Sequence, residues 1–310
     1  MMNGTNEKRP KVSIGMPVYN GEKLLRKRLD SLLSQTFADF ELIISDNGST
    51  DSTPLISHKY SKKDGRMRYV RQEKNMGVVW NFNFVLQEAK GNYFVWAAVD
   101  DTWDQRFLEK NVKILESNER LVGSIGRVEW DGNFKDNSKS NTNDFPSGNV
   151  VKYQHVHNVS GSYEQKVRSY LRYDQGTIVY AVYRTGKLQK SMFEKPFSYW
   201  DLALILEVSK YGDIHVIDEV LMYKSPLGIS TSTKSIIKNM LKIRVNLLGI
   251  IFLNFPFTFW CLKHLGIKIF MKNLGWFIRL NYRGERAILL ELLRLCKRTI
   301  YRQERFWMIF

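Results

Sequence analysis

Acidic residues are in short supply. The 310 residues carry 31 Asp and Glu against 47 Lys and Arg, a formal charge of +16. Such an imbalance points to an anionic partner: nucleic acid, a phosphorylated substrate or an anionic membrane. Cysteine is scarcer still. Cys261 and Cys296 form no CxxC or Cys/His cluster, which argues against a disulfide framework or a zinc site and suits a reducing compartment. Histidine is sparse too, and His155 with His157 makes an H-x-H without a third ligand in view, read as a solvated loop. The start, "MMNGTNEKRPK", lacks the apolar run of a secretory leader, so the N-terminal portion is expected to be cytosolic. Apolar residues are not lacking. At 44% hydrophobic and 13% aromatic, the chain is no disordered polymer, and its length suits one large domain or one domain with an appendage.

The basic excess is local. Residues 233–310 hold 15 Lys and Arg against 3 Glu, which is +12 of the +16. The signal therefore describes a tail and not a nucleic-acid surface over the whole protein, because RNA binding would want bases and aromatics together on the folded domain.

The first half alternates between two periods. "KVSIGMPVY" is a short apolar run of strand type, and "EKLLRKRLDSLLSQ" repeats Leu25, Leu29, Leu32 and Leu33 at helical spacing. "FELIIS" predicts a second strand, and Thr53 before Pro54 predicts a helix cap with proline at the first helical position. "RMRYV" follows as a strand, "VVWNFNFVLQEA" as a helix closed by Gly91, and "YFVWAAV" as a fourth strand. Thr102 and Gln105 have capping-box spacing for a helix to about Glu116. Strand–helix alternation with short connections predicts an α/β, doubly wound, mostly parallel sheet. Ligands in such sheets sit beyond the carboxyl ends of the strands. There "YFVWAAVDDTWDQRF" places Asp100 beside Asp101. Two like charges at a strand end are either a solvated helix start or the holder of something strongly positive.

Further on, "DGNFKDNSKSNTNDFPSGN" is polar and predicts a mobile insertion at about 131–150. Order is expected to resume with a helix at "YEQKVRSYL", a strand at "TIVYAVY", a helix at "WDLALILEVSKYG" and a strand at "IHVIDEVLMYK". The tail differs. "VNLLGIIFLNFPFTFWCL", residues 245–262, has 18 residues without a charge but includes Asn246, Asn254 and Pro256. A spanning helix needs about 20 apolar residues. "IKIFMKNLGWFIRL" and "ERAILLELLRLCKRTIYRQERFW" interleave aromatic and aliphatic residues with Lys and Arg. This pattern predicts helices lying in the headgroup plane of an anionic membrane, or a re-entrant hairpin in it. A spanning helix and a hairpin folded back on the core are the alternatives.

Two long blocks carry a resemblance. "VSIGMPVYNGEKLLRKRLDSLLSQTFADFELIISDNGSTDST" and "NMGVVWNFNFVLQEAKGNYFVWAAVDDTWDQRFLEK" resemble the opening of inverting family 2 glycosyltransferases of the GT-A fold, and the likeness continues more weakly to about Tyr223. It implies a polar tail at 1–10, a catalytic GT-A domain at 11–227 and a helical, apolar and basic membrane-associating region at 228–310. The implied activity is metal-dependent, inverting transfer of a sugar from a nucleotide-diphospho-sugar to a hydroxyl of a lipid-linked or cell-surface glycan. A UDP-sugar is favoured as donor, at the cytoplasmic face of the cell membrane. The departing diphosphate is doubly charged, and Mn²⁺ or Mg²⁺ bridged by one or two carboxylates answers that need.

By matching the family's motifs, Asp101 is expected to hold the metal and Asp100 to meet the ribose or a metal-bound water, although Val99 replaces the first acid of many relatives. Pro17, Val18, Tyr19, Asp46 and Asn47 match the nucleotide site, with Asn47 in place of a second acid. The Asn47 amide can accept from a pyrimidine N3–H or donate to another base. Asn75, Gly77 and Asn83 read as organisers of a loop near the donor. Asp201 matches the general base, with Trp200 before it where relatives carry Glu, and Tyr183, Arg184 and Trp200 are candidates to meet acceptor or diphosphate. A sugar nucleotidyltransferase would need a glycine-rich, arginine-containing phosphate loop where "PVYNGEKLL" stands, and a decayed, inactive membrane adaptor would be expected to lose these acids.

Overall fold

A computed structural model describes residues 9–130, 153–154, 156–173, 176–193, 197, 199–225, 254–282 and 286. The expected insertion at 131–150, most of the charge-free stretch before residue 254, His155 and Cys296 lie outside the described residues. The chain divides into two compact units, Met1–Pro196 with Leu204–Pro226, and Phe197–Ala203 with Leu227–Phe310.

The first unit is built on one sheet. Strand β1 (Val12–Val18) pairs in parallel with β2 (Phe40–Asp46) and with β4 (Tyr93–Trp96), and β2 pairs in parallel with β3 (Met67–Arg71). Beyond β4 come β8 (Val182–Arg184), β6 (Leu121–Trp130), β9 (Asp213–Lys224) and β5 (Thr102–Trp103), with the two-residue β7 (Tyr153–Gln154) beside β6. Among the described strands β5, β7 and β8 run antiparallel to their neighbours and the rest pair in parallel, so the sheet is mostly parallel. The apolar runs are continuous in β1 and β2 because both faces are covered, as parallel sheets require.

Helix α1 (Glu22–Leu33) follows β1 and buries Leu25, Leu29 and Leu32. Helices α2 (Thr53–Ser61), α3 (Val78–Gln87) and α4 (Phe107–Ser117) return the chain between strands, and α5 (Tyr163–Tyr173), α6 (Thr185–Gln189) and α7 (Trp200–Val208) follow. α3 lies close on the sheet: a Cβ on Gly15 of β1 would meet Phe94 and Val85 at 2.6–2.7 Å.

Three local expectations are corrected. Thr102 does not cap a helix; it pairs with Tyr223 in β5, and α4 begins at Phe107. "TIVYAVY" is a 3-10 turn over Gly176–Tyr180 followed by a three-residue strand, wedged antiparallel between β4 and β6. Thr53 is the first residue of α2, and its hydroxyl accepts from the Gly21 N–H at 2.8 Å, tying two loops instead of capping its own helix.

The described part of the second unit holds α8 (Phe255–His264), α9 (Ile267–Lys272) and a helix over 274–282. Phe257, Trp260, Phe270 and Phe277 form an aromatic core, with Phe270 stacked on Phe277 at 4.6 Å. Burial pushes the Cys261 thiol up. On the other side Phe255, Phe259, Leu262, Ile267, Met271, Ile278 and Tyr282 are all exposed. Among the described residues no helix is long and apolar enough to cross a membrane.

Candidate active site

The carboxyl ends of β1, β2 and β4 form one edge of the sheet. In register Val18 lies opposite Asp46, and β4 ends at Trp96, opposite Gly15. The turns leaving these strands hold most of the residues expected for the donor.

In the turn after β2 the Asp46 carboxylate is engaged by the protein itself. Asp46 has no exposed surface. Its Oδ1 accepts from the Ser49 N–H at 2.8 Å and its Oδ2 from the Tyr69 hydroxyl at 2.7 Å. Gly48, at φ 73°, makes the turn possible, and a Cβ there would also lie 2.9 Å from the Lys74 backbone. Asn20 and Ser49 join this turn to the end of β1, since the Asn20 N–H donates to Ser49 Oγ and Asn20 Oδ1 accepts from the Thr50 N–H, both at 2.8 Å. Pro17 is half-buried within β1, Val18 is buried and Tyr19 exposed at the rim.

Asn47 is a latch. Its Oδ1 accepts from the Met76 N–H at 2.8 Å, and its Nδ2 donates to Asn75 Oδ1 at 3.0 Å and to the Gly77 carbonyl at 3.2 Å. A backbone N–H only donates, so the atom facing Met76 is the oxygen and the amide orientation is settled. Asn75 Oδ1 also accepts from the Gly77 N–H, which sits at the positive-φ entry to α3. Asn83 lies away from this turn and donates one amide hydrogen to the Phe193 carbonyl at 2.9 Å.

The turn after β4 is different. Asp101 is 2% exposed, and among the described residues it accepts one long hydrogen bond, from the Ser225 N–H at 3.3 Å. Burial and then the neighbouring Asp100 push its carboxyl up to about 7, against the pull of Lys224, the Ser225 N–H and Arg28. The pair is therefore no solvated helix start. Beneath it lies Arg28 of α1, 1% exposed, whose guanidinium donates to the Asp100 carbonyl and to Thr102 Oγ1, both at 2.7 Å. Sequence reasoning missed Arg28, although a signal existed: it sits three residues after Leu25 and four before Leu32, on the apolar stripe of its helix. Tyr69, Lys224 and Ser225 gave no such signal, being partners only across the fold.

Among the described residues no three His, Cys, Asp or Glu stand together as a metal cage. The residues still suit a divalent ion, because a buried carboxylate raised by an adjacent acid gains from a cation, and such ions take their remaining ligands from phosphate and water.

Tyr183 and Arg184 stand apart. Tyr183 is fully buried against the sheet, and its hydroxyl donates to the Ile178 carbonyl. Because β8 runs antiparallel to β4, Arg184 faces Tyr93 at the start of that strand, the far edge from Asp101. Its guanidinium donates to the carbonyls of Leu121, Leu115 and Asn118 at 2.7–3.3 Å. Trp200 and Asp201 open α7, in the segment that belongs to the second unit, and both are half-buried.

A mostly parallel α/β sheet with acids gathered beyond its strand ends is the architecture of an α/β protein that binds its ligand at that edge. The chain belongs to glycosyl transferase family 2, whose model matches residues 13–172. It is 30% identical over 179 residues to glycosyltransferase GlyA of Streptococcus pneumoniae, covering 58% of this chain and 22% of that protein, so it spans well under half the length of this relative. Two solved structures share the GT-A fold. S. aureus TarS 1–349 in complex with UDP-GlcNAc has a TM-score of 0.54 at 19% identity, over 87% of this chain and 81% of that one. The mannosyltransferase PcManGT of Pyrobaculum calidifontis, in complex with GDP-Man and Mn²⁺, has a TM-score of 0.54 at 14% identity, over 98% and 82%.

Proposed function

We propose that this chain transfers a sugar, with inversion and in a metal-dependent manner, from a nucleotide-diphospho-sugar to a hydroxyl of a lipid-linked or cell-surface glycan. The observation that carries this is the buried Asp101 carboxyl beside Asp100 at the strand-end edge, raised to about 7 and almost without donors. Asp101, supported by Asp100, would hold Mn²⁺ or Mg²⁺, and that ion would neutralise charge on the departing diphosphate. Arg28 keeps the acidic turn in place from below.

Asn47 narrows the base. Both of its amide hydrogens are spent on Asn75 and Gly77, so it can offer a ligand only the second lone pair of Oδ1. A base that meets it through a ring nitrogen must carry a hydrogen there, as uracil N3 and guanine N1 do and cytosine N3 does not. Of these two the reading favours a UDP-sugar. The structural relatives bind UDP-GlcNAc and GDP-Man, both of that kind. Asp201, in the first turn of α7 and preceded by an indole, is the group assigned to take the proton from the acceptor hydroxyl.

The membrane part of the reading rests on the second unit alone. Phe255, Phe259 and Leu262 form an exposed stripe on α8, and Ile267, Met271 and Ile278 are exposed with Lys263, Lys268, Lys272 and Arg279 among them. Apolar side chains set among cations suit a cytoplasmic leaflet rich in anionic lipid.

Calorimetry with UDP, GDP and CDP, with and without Mn²⁺, tests the donor site. UDP and GDP should bind with Mn²⁺ and CDP much more weakly; equal binding of all three, or UDP binding indifferent to Mn²⁺, overturns the assignment. Flotation with phosphatidylglycerol vesicles tests the tail, and full retention after deletion of residues 234–310 would end the membrane claim.

A further inference from the structure

Away from the acids, the first unit carries two adjoining cavities of about 650 and 580 Å³ that share Gln189. They lie along the outward side of α3. That helix starts at the Asn47 latch and runs toward Lys90 and Asn92, which precede β4 at the opposite edge of the sheet. The cavity nearer the start of α3 is walled by Trp80, Asn83 and Gln87, at i, i+3 and i+7 on one helix stripe, and by Met192 and Phe193 across from them. The other is walled by Lys90, Asn92 and Thr185, with Arg9 beside them.

The walls are unusual for a surface left to water. Trp80 is 36% exposed, and its ring is backed by Phe84 at 5.3 Å and 19°, which fixes it as a plate with one side open. Asn83 and Gln189 bridge the two walls, donating to the Phe193 carbonyl at 2.9 Å and the Leu86 carbonyl at 3.1 Å. Each of these bonds uses one amide hydrogen and leaves the amide oxygen to a ligand. The groove thus offers a fixed aromatic face, a row of amides that both donate and accept, and two cations at one end. It has no deep apolar pocket and no open strand edge, so it suits neither a lipid chain nor an added peptide strand.

We propose that this groove holds an oligosaccharide carrying an acidic group. One sugar ring lies on Trp80, its hydroxyls meet Asn83, Gln87 and Gln189, and a carboxylate or phosphate of the chain meets Arg9 and Lys90. Burying apolar C–H surface on an indole and pairing hydroxyls with amides are the two ways a neutral sugar is recognised in water. The proposal deepens the transferase reading and rests on it: the groove grips an acceptor chain away from the hydroxyl that reacts.

Saturation-transfer NMR and calorimetry with tetragalacturonate and cellotetraose, on the full chain, test this. Wild type should bind tetragalacturonate several-fold more tightly than cellotetraose. Trp80→Ala should weaken both at least tenfold, and Arg9→Ala with Lys90→Ala should remove only the preference for the acidic chain. UDP binding with Mn²⁺ should be unchanged in every variant, which reports that the fold is intact. Absence of binding by either oligosaccharide, or equal binding by Trp80→Ala, overturns the groove. Loss of the UDP and Mn²⁺ response in wild type would instead strike the donor site, so the two failures can be told apart.

Discussion

Two buried aspartates on the same edge of one sheet have opposite situations. Asp46, leaving β2, has a donor on each oxygen, Ser49 N–H and Tyr69 hydroxyl. Asp101, leaving β4, has one long contact and a like charge beside it. Both acids are buried, yet only the first has a short hydrogen bond to each oxygen. An acid paired in this way steadies the fold, whereas one with a single long partner keeps acceptor capacity for a ligand.

Substitution separates the two. Asp101→Ala should lower turnover on the order of 10³-fold while leaving the metal-free protein as stable as wild type or more so, because it removes a disfavoured buried acid. Asp46→Ala should instead strand the Ser49 N–H and the Tyr69 hydroxyl and cost about 3 kcal/mol in urea unfolding. A large stability loss for Asp101→Ala, or none for Asp46→Ala, would erase the distinction.

The pH dependence sharpens it. A carboxyl raised in the folded state favours folding below the ordinary carboxylate range, and that advantage disappears as pH climbs through about 7. Wild type without metal should therefore lose ground to Asp101→Asn between about pH 4 and pH 7, as read from paired unfolding curves. Mn²⁺ with UDP should close the gap. Asp64, held below the usual range by the Arg66 guanidinium, acts in the other direction, its stabilisation fading as pH falls, and cancels in the comparison.

How much of this was readable beforehand follows from the range of the interactions. β1, α1, β2, α3 and α5 declared themselves through spacing of two or near 3.6 within a few residues. Thr102 and Gln105 have the right spacing for a capping box, but the pairing with Tyr223, 121 positions away, won. Asp100 and Asp101 were legible as a pair, while the groups that act on the buried Asp101, Arg28 and the adjacent Lys224 and Ser225, come from two other places in the chain. Arg184 looked available for a ligand because nothing local marks three carbonyls from α4, β6 and the turn between them as its partners. The same limit hid the latch: Asn47 finds Asn75, Met76 and Gly77 28–30 residues on.

That latch supplies the smallest effect and the finest test of the comparison. Asn75 sits on the surface, so Asn75→Ala should cost no more than about 1 kcal/mol of stability. It would nevertheless free one hydrogen of the Asn47 amide, now bound to Asn75 Oδ1 at 3.0 Å. An amide that could only accept could then donate as well, and cytosine N3 becomes an acceptable partner. The preference for UDP over CDP should shrink by roughly tenfold, the worth of about one hydrogen bond. UDP itself should weaken only a few-fold, since the Met76 and Gly77 bonds remain. An unchanged UDP-to-CDP ratio would mean that base choice is made by a different residue of the rim.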